Sequence, residues 1–247
     1  MAGIPKNPEE IFEPVCADFE ALYGGDLLSV ILYGSCARGE YVPGKSDINF
    51  MLMLSENGIT QPGRALATVE KWRRRAVATP LLLTRSYIET SIDSFPIEFL
   101  NIRAAYRVLR GEDPLKQLVF DHLMLRLQCE RELKGKLLHL RAQFLETSGN
   151  ARRIKELIAR SLPTFSALFQ AVVVLRGKPV QQGRAALLGA MQQVLGLDQA
   201  LFTDLYAVRE GRMRLNTAGS IALMERYIKE VRRLALAVDS LEPGPAS

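Results

Sequence analysis

The sequence is poor in the residues that build metal cages and disulfide frameworks. It has 247 residues, with three cysteines and two histidines. Cys16, Cys36 and Cys129 are odd in number and far apart, and no C-x-x-C pair occurs. That argues against a disulfide scaffold and a thiolate metal site, and it fits free thiols in a reducing cytoplasm. His122 and His139 do not stand at the spacing of a metal pair. No apolar run reaches the roughly 18 residues that a spanning helix requires, so no membrane partner is expected. The opening segment "MAGIPKNPEEIFEP" carries two early acids and no apolar core, so it does not read as a signal peptide.

Composition is otherwise that of a folded protein, 48% hydrophobic and 24% charged. The formal net charge is +5 and the sequence pI about 9.2. This mild excess suits an anionic ligand such as a nucleoside triphosphate. It also tolerates nucleic acid, but no aromatic stacking motif supports that reading.

The first part of the chain alternates between helical and strand patterns. In "PEEIFEPVCADFEALYG", Ile11, Val15, Phe19 and Leu22 share one helical face, with Pro8 early and Asn7 as its cap. "LLSVILYG" and "DINFMLML" read as buried strands. Alternation puts Asp47 and Asn49 on one side of the second strand, with Ile48, Phe50 and Leu52 on the other. "PGRALATVEKWRRRAVATP" reads as a helix closed by Pro80, "PLLLTR" as a third strand, "SYIETSID" as a short helix or turn and "FPIEFLNI" as a fourth strand carrying Glu98. The α/β rhythm ends near Arg110. "RGEDPL" is a loop. From Leu115 onward the pattern is helical throughout, with a kink expected at Pro163 and helix ends at Gly149, Gly177, Gly196 and Gly211. The expected fold class is therefore α+β: a mixed-sheet domain over residues 1–112, an all-helical domain over 113–242 and a disordered tail over 243–247.

The chemistry-bearing stretch is "LYGSCARGEYVPGKSDINFMLML". Gly34 lets a backbone approach phosphates and Ser35 adds a hydroxyl. Arg38 and Lys45 can meet phosphate charge, although solvated loop charge is the plain alternative. Asp47, Asn49 and Glu98 are oxygen donors suited to a hard cation such as Mg²⁺. Two such ions would clamp a phosphoryl transfer. Glu40 reads as a loop acid, Cys36 as a small buried filler and "WRRR" as a solvated helix face. In "LRLQCERELKGKLLHLR" the i, i+4 pairs Arg126–Glu130 and Glu132–Lys136 read as surface pairing.

Together these residues resemble the DNA polymerase beta-like nucleotidyltransferase superfamily. They look most like the bacterial minimal and aminoglycoside nucleotidyltransferases, the latter with a helical C-terminal domain. The resemblance rests on "VILYGSCARGEYVPGKSDINF" and "FPIEFLNI" and covers residues 27–110. It implies that Gly34 and Ser35 bind the triphosphate, that Asp47 is the first metal aspartate and that Glu98 is the third carboxylate. Asn49 takes the place of the second carboxylate, a departure that removes one negative charge. A general-base glutamate in the helical domain is implied by location only, a role for Glu130 or Glu132. The implied activity is Mg²⁺-dependent transfer of a nucleoside monophosphate from a nucleoside triphosphate to a hydroxyl acceptor, whose identity the residues leave open. The alternative is a non-catalytic nucleotide-binding or protein-interaction module of toxin–antitoxin type, with Asn49 the feature that favours it. RNA binding is a third reading. Homodimer formation through the C-terminal helices stays open.

Overall fold

The structure is a computed structural model that describes residues 3–242. The expected disordered tail, 243–247, lies outside the described residues. The chain is α+β and divides into two compact units. One takes in the described residues of Met1–Ile92 with Phe99–Leu118, the other those of Asp93–Glu98 with Val119–Ser247.

The first unit is built on a four-stranded mixed sheet in the order β3-β2-β1-β4. β1 (Leu27–Tyr33) pairs antiparallel with both β2 (Asn49–Leu54) and β4 (Tyr106–Gly111), and β2 pairs parallel with β3 (Leu81–Leu83). Asn7 opens the unit as expected: its side chain accepts from the Glu9 N–H at 3.1 Å and caps a 3-10 turn, Pro8–Ile11, that runs into α1 (Phe12–Tyr23). Ile11, Val15 and Phe19 of that stripe pack with Ile48, Phe50, Leu52 and Leu54 on one sheet face. Ile31 and Met51 point to the other face, where Ile102 and Leu115 cover them. The sheet is thus buried on both sides, which is why β1 and β2 read as continuous apolar runs.

Two elements of this unit differ from expectation. The helix predicted to run to Pro80 is α2 (Leu66–Arg73) and stops early. Ala76 turns to φ +60°, and the chain then ties itself to β2: Ile48 N–H donates to Ala76 O at 2.8 Å and Ala78 N–H to Ile48 O at 3.0 Å. These sheet bonds override local helix propensity. After α3 (Arg85–Ser91), "FPIEFLNI" is not a strand but the body of α4 (Pro96–Ala104). Glu98 therefore sits on a helix. Proline suits a first helical turn, and the Gln128 side chain accepts from the Ile97 N–H at 2.9 Å. The fourth strand is instead "YRVLRG". Gly111 closes it at φ +74°, where an added Cβ would stand 1.9 Å from the Leu28 carbonyl oxygen. Ser29 Oγ holds that edge by donating to Arg110 O (3.0 Å) and Glu112 O (2.7 Å).

The second unit has no strand among the described residues. Its main elements are α5 (His122–Glu146), α6 (Ala151–Ser161), α7 (Pro163–Leu175), α8 (Arg184–Leu195), α9 (Gln199–Arg209) and α10 (Thr217–Asp239). Asp121, Asn150, Asp198 and Asn216 cap four of them by side-chain hydrogen bonds. α5 begins only at the Asp121 cap, not at Leu115. The kink expected at Pro163 is the junction of α6 and α7. By length and composition Ala151–Leu175 would reach across a bilayer, contrary to expectation, but half of its most apolar window is buried in the fold, as in a core helix. The core holds four rings in mutual contact: Phe169–Phe202 at 5.3 Å and Phe165–Tyr227 and Phe202–Tyr227, both at 5.8 Å, meet edge to face, and Phe165–Phe169 at 6.0 Å is tilted.

Candidate active site

β1 ends where Gly34 turns to φ +79°, a conformation that costs other L-residues about 1–2 kcal/mol. Its N–H donates to Ala105 O at 3.0 Å. One helical turn follows: Arg38 N–H reaches Gly34 O at 3.2 Å and Glu40 N–H reaches Ser35 O at 2.9 Å. The N–H groups of Ser35, Cys36 and Ala37 start that turn and make no hydrogen bond to protein among the described residues. First-turn donors of this kind favour an anion.

The chain returns through a second turn, where Ser46 Oγ accepts from the Val42 N–H at 3.1 Å. Asp47 is exposed beyond it. Asn49 opens β2 directly opposite Tyr33. Its side chain lies against the bare face of Gly34, since a Cβ there would stand 3.1 Å from Asn49 Nδ2. Asn49 Nδ2 also donates a long bond, 3.5 Å, to Asp47 O. Gly34 and Asn49, 15 positions apart in sequence, are thus neighbours because the β1–β2 register makes them so.

The other candidates fall out differently. Arg38 is partly engaged, its Nε donating to Glu40 Oε2 at 2.9 Å. Lys45 is exposed and makes no ion pair among the described residues. Glu98 groups with the helical unit, where its Oε2 accepts from Gln128 Nε2 at 2.7 Å. Glu130 is bound between two cations, Arg126 at 3.0 Å and Lys134 at 2.5 Å. The Lys134 ammonium above all holds the Glu130 carboxyl below its usual range, which makes it a poor proton acceptor at neutral pH. Glu132 pairs with Lys136 at 3.2 Å.

Among the described residues, no group of three or more His, Cys, Asp or Glu is placed to hold a metal ion. The donors beside Gly34 are one carboxylate and one amide oxygen, which fit a single hard cation completed by phosphate oxygens rather than a two-ion clamp. Burial pushes the thiols up, Cys16 to about 11 and Cys129 to about 12, and raises Cys36 despite the nearby Arg107. None is an activated nucleophile.

Sequence reasoning missed the surroundings of the turn. Tyr33 carries a half-buried phenol whose ionisation burial suppresses. It directly precedes Gly34 in "LYGS", which is the one signal available. A cleft of about 400 Å³ beside the 36–41 loop is lined in part by Lys6, Phe12, Leu32, Cys36, Tyr41 and Arg107. Arg107 comes from β4, a strand the local sequence did not announce.

No protein-family model matches the chain, and no curated protein does. Among solved structures, the chain is similar to the spectinomycin adenyltransferase AAD(9) from Enterococcus faecialis, determined with ATP and spectinomycin. Identity is 11%, coverage is 92% of this chain and 100% of that one, and the TM-score is 0.43. The likeness is distant. It carries no argument about this chain's activity.

Proposed function

We propose that this chain binds a nucleoside triphosphate at the Gly34 turn and transfers its nucleoside monophosphate to a hydroxyl acceptor. The supporting observation is the packing of the Asn49 amide against Gly34, beside the exposed Asp47 and the open N–H groups of Ser35 to Ala37. In this reading the turn's N–H groups and Ser35 hold phosphate oxygens, and Lys45 and Arg38 balance their charge. Asp47 and Asn49 would hold Mg²⁺, which supplies charge neutralisation on the phosphates. The acceptor oxygen forms a bond to the α-phosphorus while the bond to pyrophosphate breaks. Glu98, on a helix and bonded to Gln128 within the helical unit, is left out of this reading. Glu130, tied up in its ion pairs, is left out of the proton transfer. The three unpaired, buried thiols support a reducing, cytoplasmic setting.

A second reading is favoured by one observation. Asp47 is the sole carboxylate flanking Asn49 on β2, so the site has less negative charge than two-ion catalysis uses. The chain would then bind nucleotide without turning it over. Calorimetry with ATP, CTP, GTP and UTP, with and without Mg²⁺, tests the shared basis. Binding of at least one triphosphate with a Kd below about 1 mM, tightened by Mg²⁺, is expected. No binding under any condition would sink both readings. Asn49→Asp separates them: transfer that appears only in the variant marks a binding module, and transfer already present in the wild type marks an enzyme.

A further inference from the structure

The helical unit holds a cleft of about 290 Å³ whose lining includes Lys136, His139, Arg160, Ser161, Leu140 and Phe165. Lys136 and His139 stand three residues apart on α5, on one helical face. Arg160 and Ser161 come from the end of α6, and Phe165 from the first turns of α7. No carboxylate lines the cleft. Elsewhere on this unit several cations stand against an acid, as Arg126, Lys134, Arg152 and Arg233 do. Arg160 and His139 make no ion pair among the described residues. Lys136 is held only by the exposed i, i+4 contact with Glu132 at 3.2 Å, a pairing worth at most about 0.5 kcal/mol and readily exchanged.

Polar side chains also line the cleft, Ser161 and Thr164 among them. Behind Phe165, in the core rather than in the cleft lining, stands the Tyr227 ring, fully buried, with its hydroxyl making no hydrogen bond of ordinary geometry. Burial suppresses the ionisation of that phenol, and the Ser161 side chain is near enough to offset part of the effect. Leu140 and Phe165 supply a small apolar floor, 3% and 1% exposed.

We propose that this cleft is a binding site for a small organic phosphate, with the phosphate among Lys136, His139 and Arg160 and the apolar body on Leu140 and Phe165. Guanidinium and ammonium groups are the side chains that best match a phosphate dianion. His139 donates a hydrogen bond in either protonation state, and Ser161 offers a hydroxyl. The volume takes a ligand of about one ring and a phosphate, at the low end for small-molecule sites. The inference stands apart from the proposed activity, because it concerns the helical unit alone.

The sequence has two histidines, so imidazole NMR reads this site directly. His139→Gln assigns the His139 signal in the full-length chain. Titration with phenyl phosphate is expected to move that signal saturably at millimolar concentration and to leave His122 in place. Arg160→Gln should weaken binding about tenfold, the loss of one charge-assisted contact. Lys155→Gln, which removes an exposed charge on the same helix outside the cleft, should leave it unchanged. Inorganic phosphate should bind more weakly than phenyl phosphate. An unmoved or linearly drifting His139 signal, equal loss in Lys155→Gln and Arg160→Gln, or equal affinity for inorganic phosphate would each overturn the proposal.

Discussion

Two acids, one in each unit, show what distinguishes a candidate ligand from a structural charge. Asp47 of the sheet unit is exposed, follows a turn and makes no ion pair among the described residues. Glu130 of the helical unit has a side chain 19% exposed and is held between Arg126 and Lys134. Both looked like site residues by type and position. Their surroundings separate them. An acid already neutralised by two neighbours has its field spent on the fold, whereas an unengaged acid beside an open backbone turn keeps its charge for a ligand.

The contrast can be broken by mutation. The largest effect is expected from Gly34→Val. It forces a β-branched residue to φ +79° and drives its Cβ toward Asn49 Nδ2, so thermal unfolding should show a loss of about 2 kcal/mol or more together with loss of nucleotide binding. Asp47→Ala comes next. As an exposed loop change it should alter stability by less than about 0.5 kcal/mol, while Mg²⁺-dependent triphosphate affinity drops about tenfold or more by calorimetry. Unchanged affinity would remove Asp47 from the site. Glu130→Gln should do the opposite and do it weakly: a stability loss of about 0.5–1 kcal/mol with nucleotide binding untouched.

The pH dependence of that last variant sharpens the point. The folded pKa of Glu130 lies below its ordinary 4.5, so the ion pairs stabilise the fold fully above about pH 4.5. The contribution is lost as pH falls through the lower folded value, because the unfolded carboxyl takes up its proton first. Wild type and Glu130→Gln should therefore converge in stability on acidification. Parallel curves down to the acid limit would show that the pairs contribute nothing.

Much of the sheet unit was legible in advance. The α1 stripe, the Asn7 cap of the turn that leads into it, β1, β2 and β3 follow from apolar period and punctuation, and α1, β1 and β2 are buried on a pattern the chain itself carries. The "FPIEFLNI" run misled for a physical reason. Its residues favour strands, but the run starts at Pro96 and gains the Gln128 side chain as a partner for its first free N–H, and that partner lies about thirty residues on. The strand that does complete the sheet, "YRVLRG", is half-buried and carries two arginines, so its apolar signal is diluted. The helix from Pro62 was overextended because nothing local warned that residues 76–78 would bond to β2.

What the sequence by itself determined is the alternation of the first unit, the helical run of the second and the "LYGS…SDIN" string with its one carboxylate and one amide. These depend on contacts a few residues apart, which local period reports. What only the tertiary structure decided is which charges are free. Asn49 meets Gly34 through strand register, Glu98 rides a helix and hydrogen-bonds Gln128, Glu130 is closed off by its cations, and Arg160 and His139 share a cleft without an acid. Charge becomes available or spent through neighbours brought together by folding, and no spacing along the chain records that.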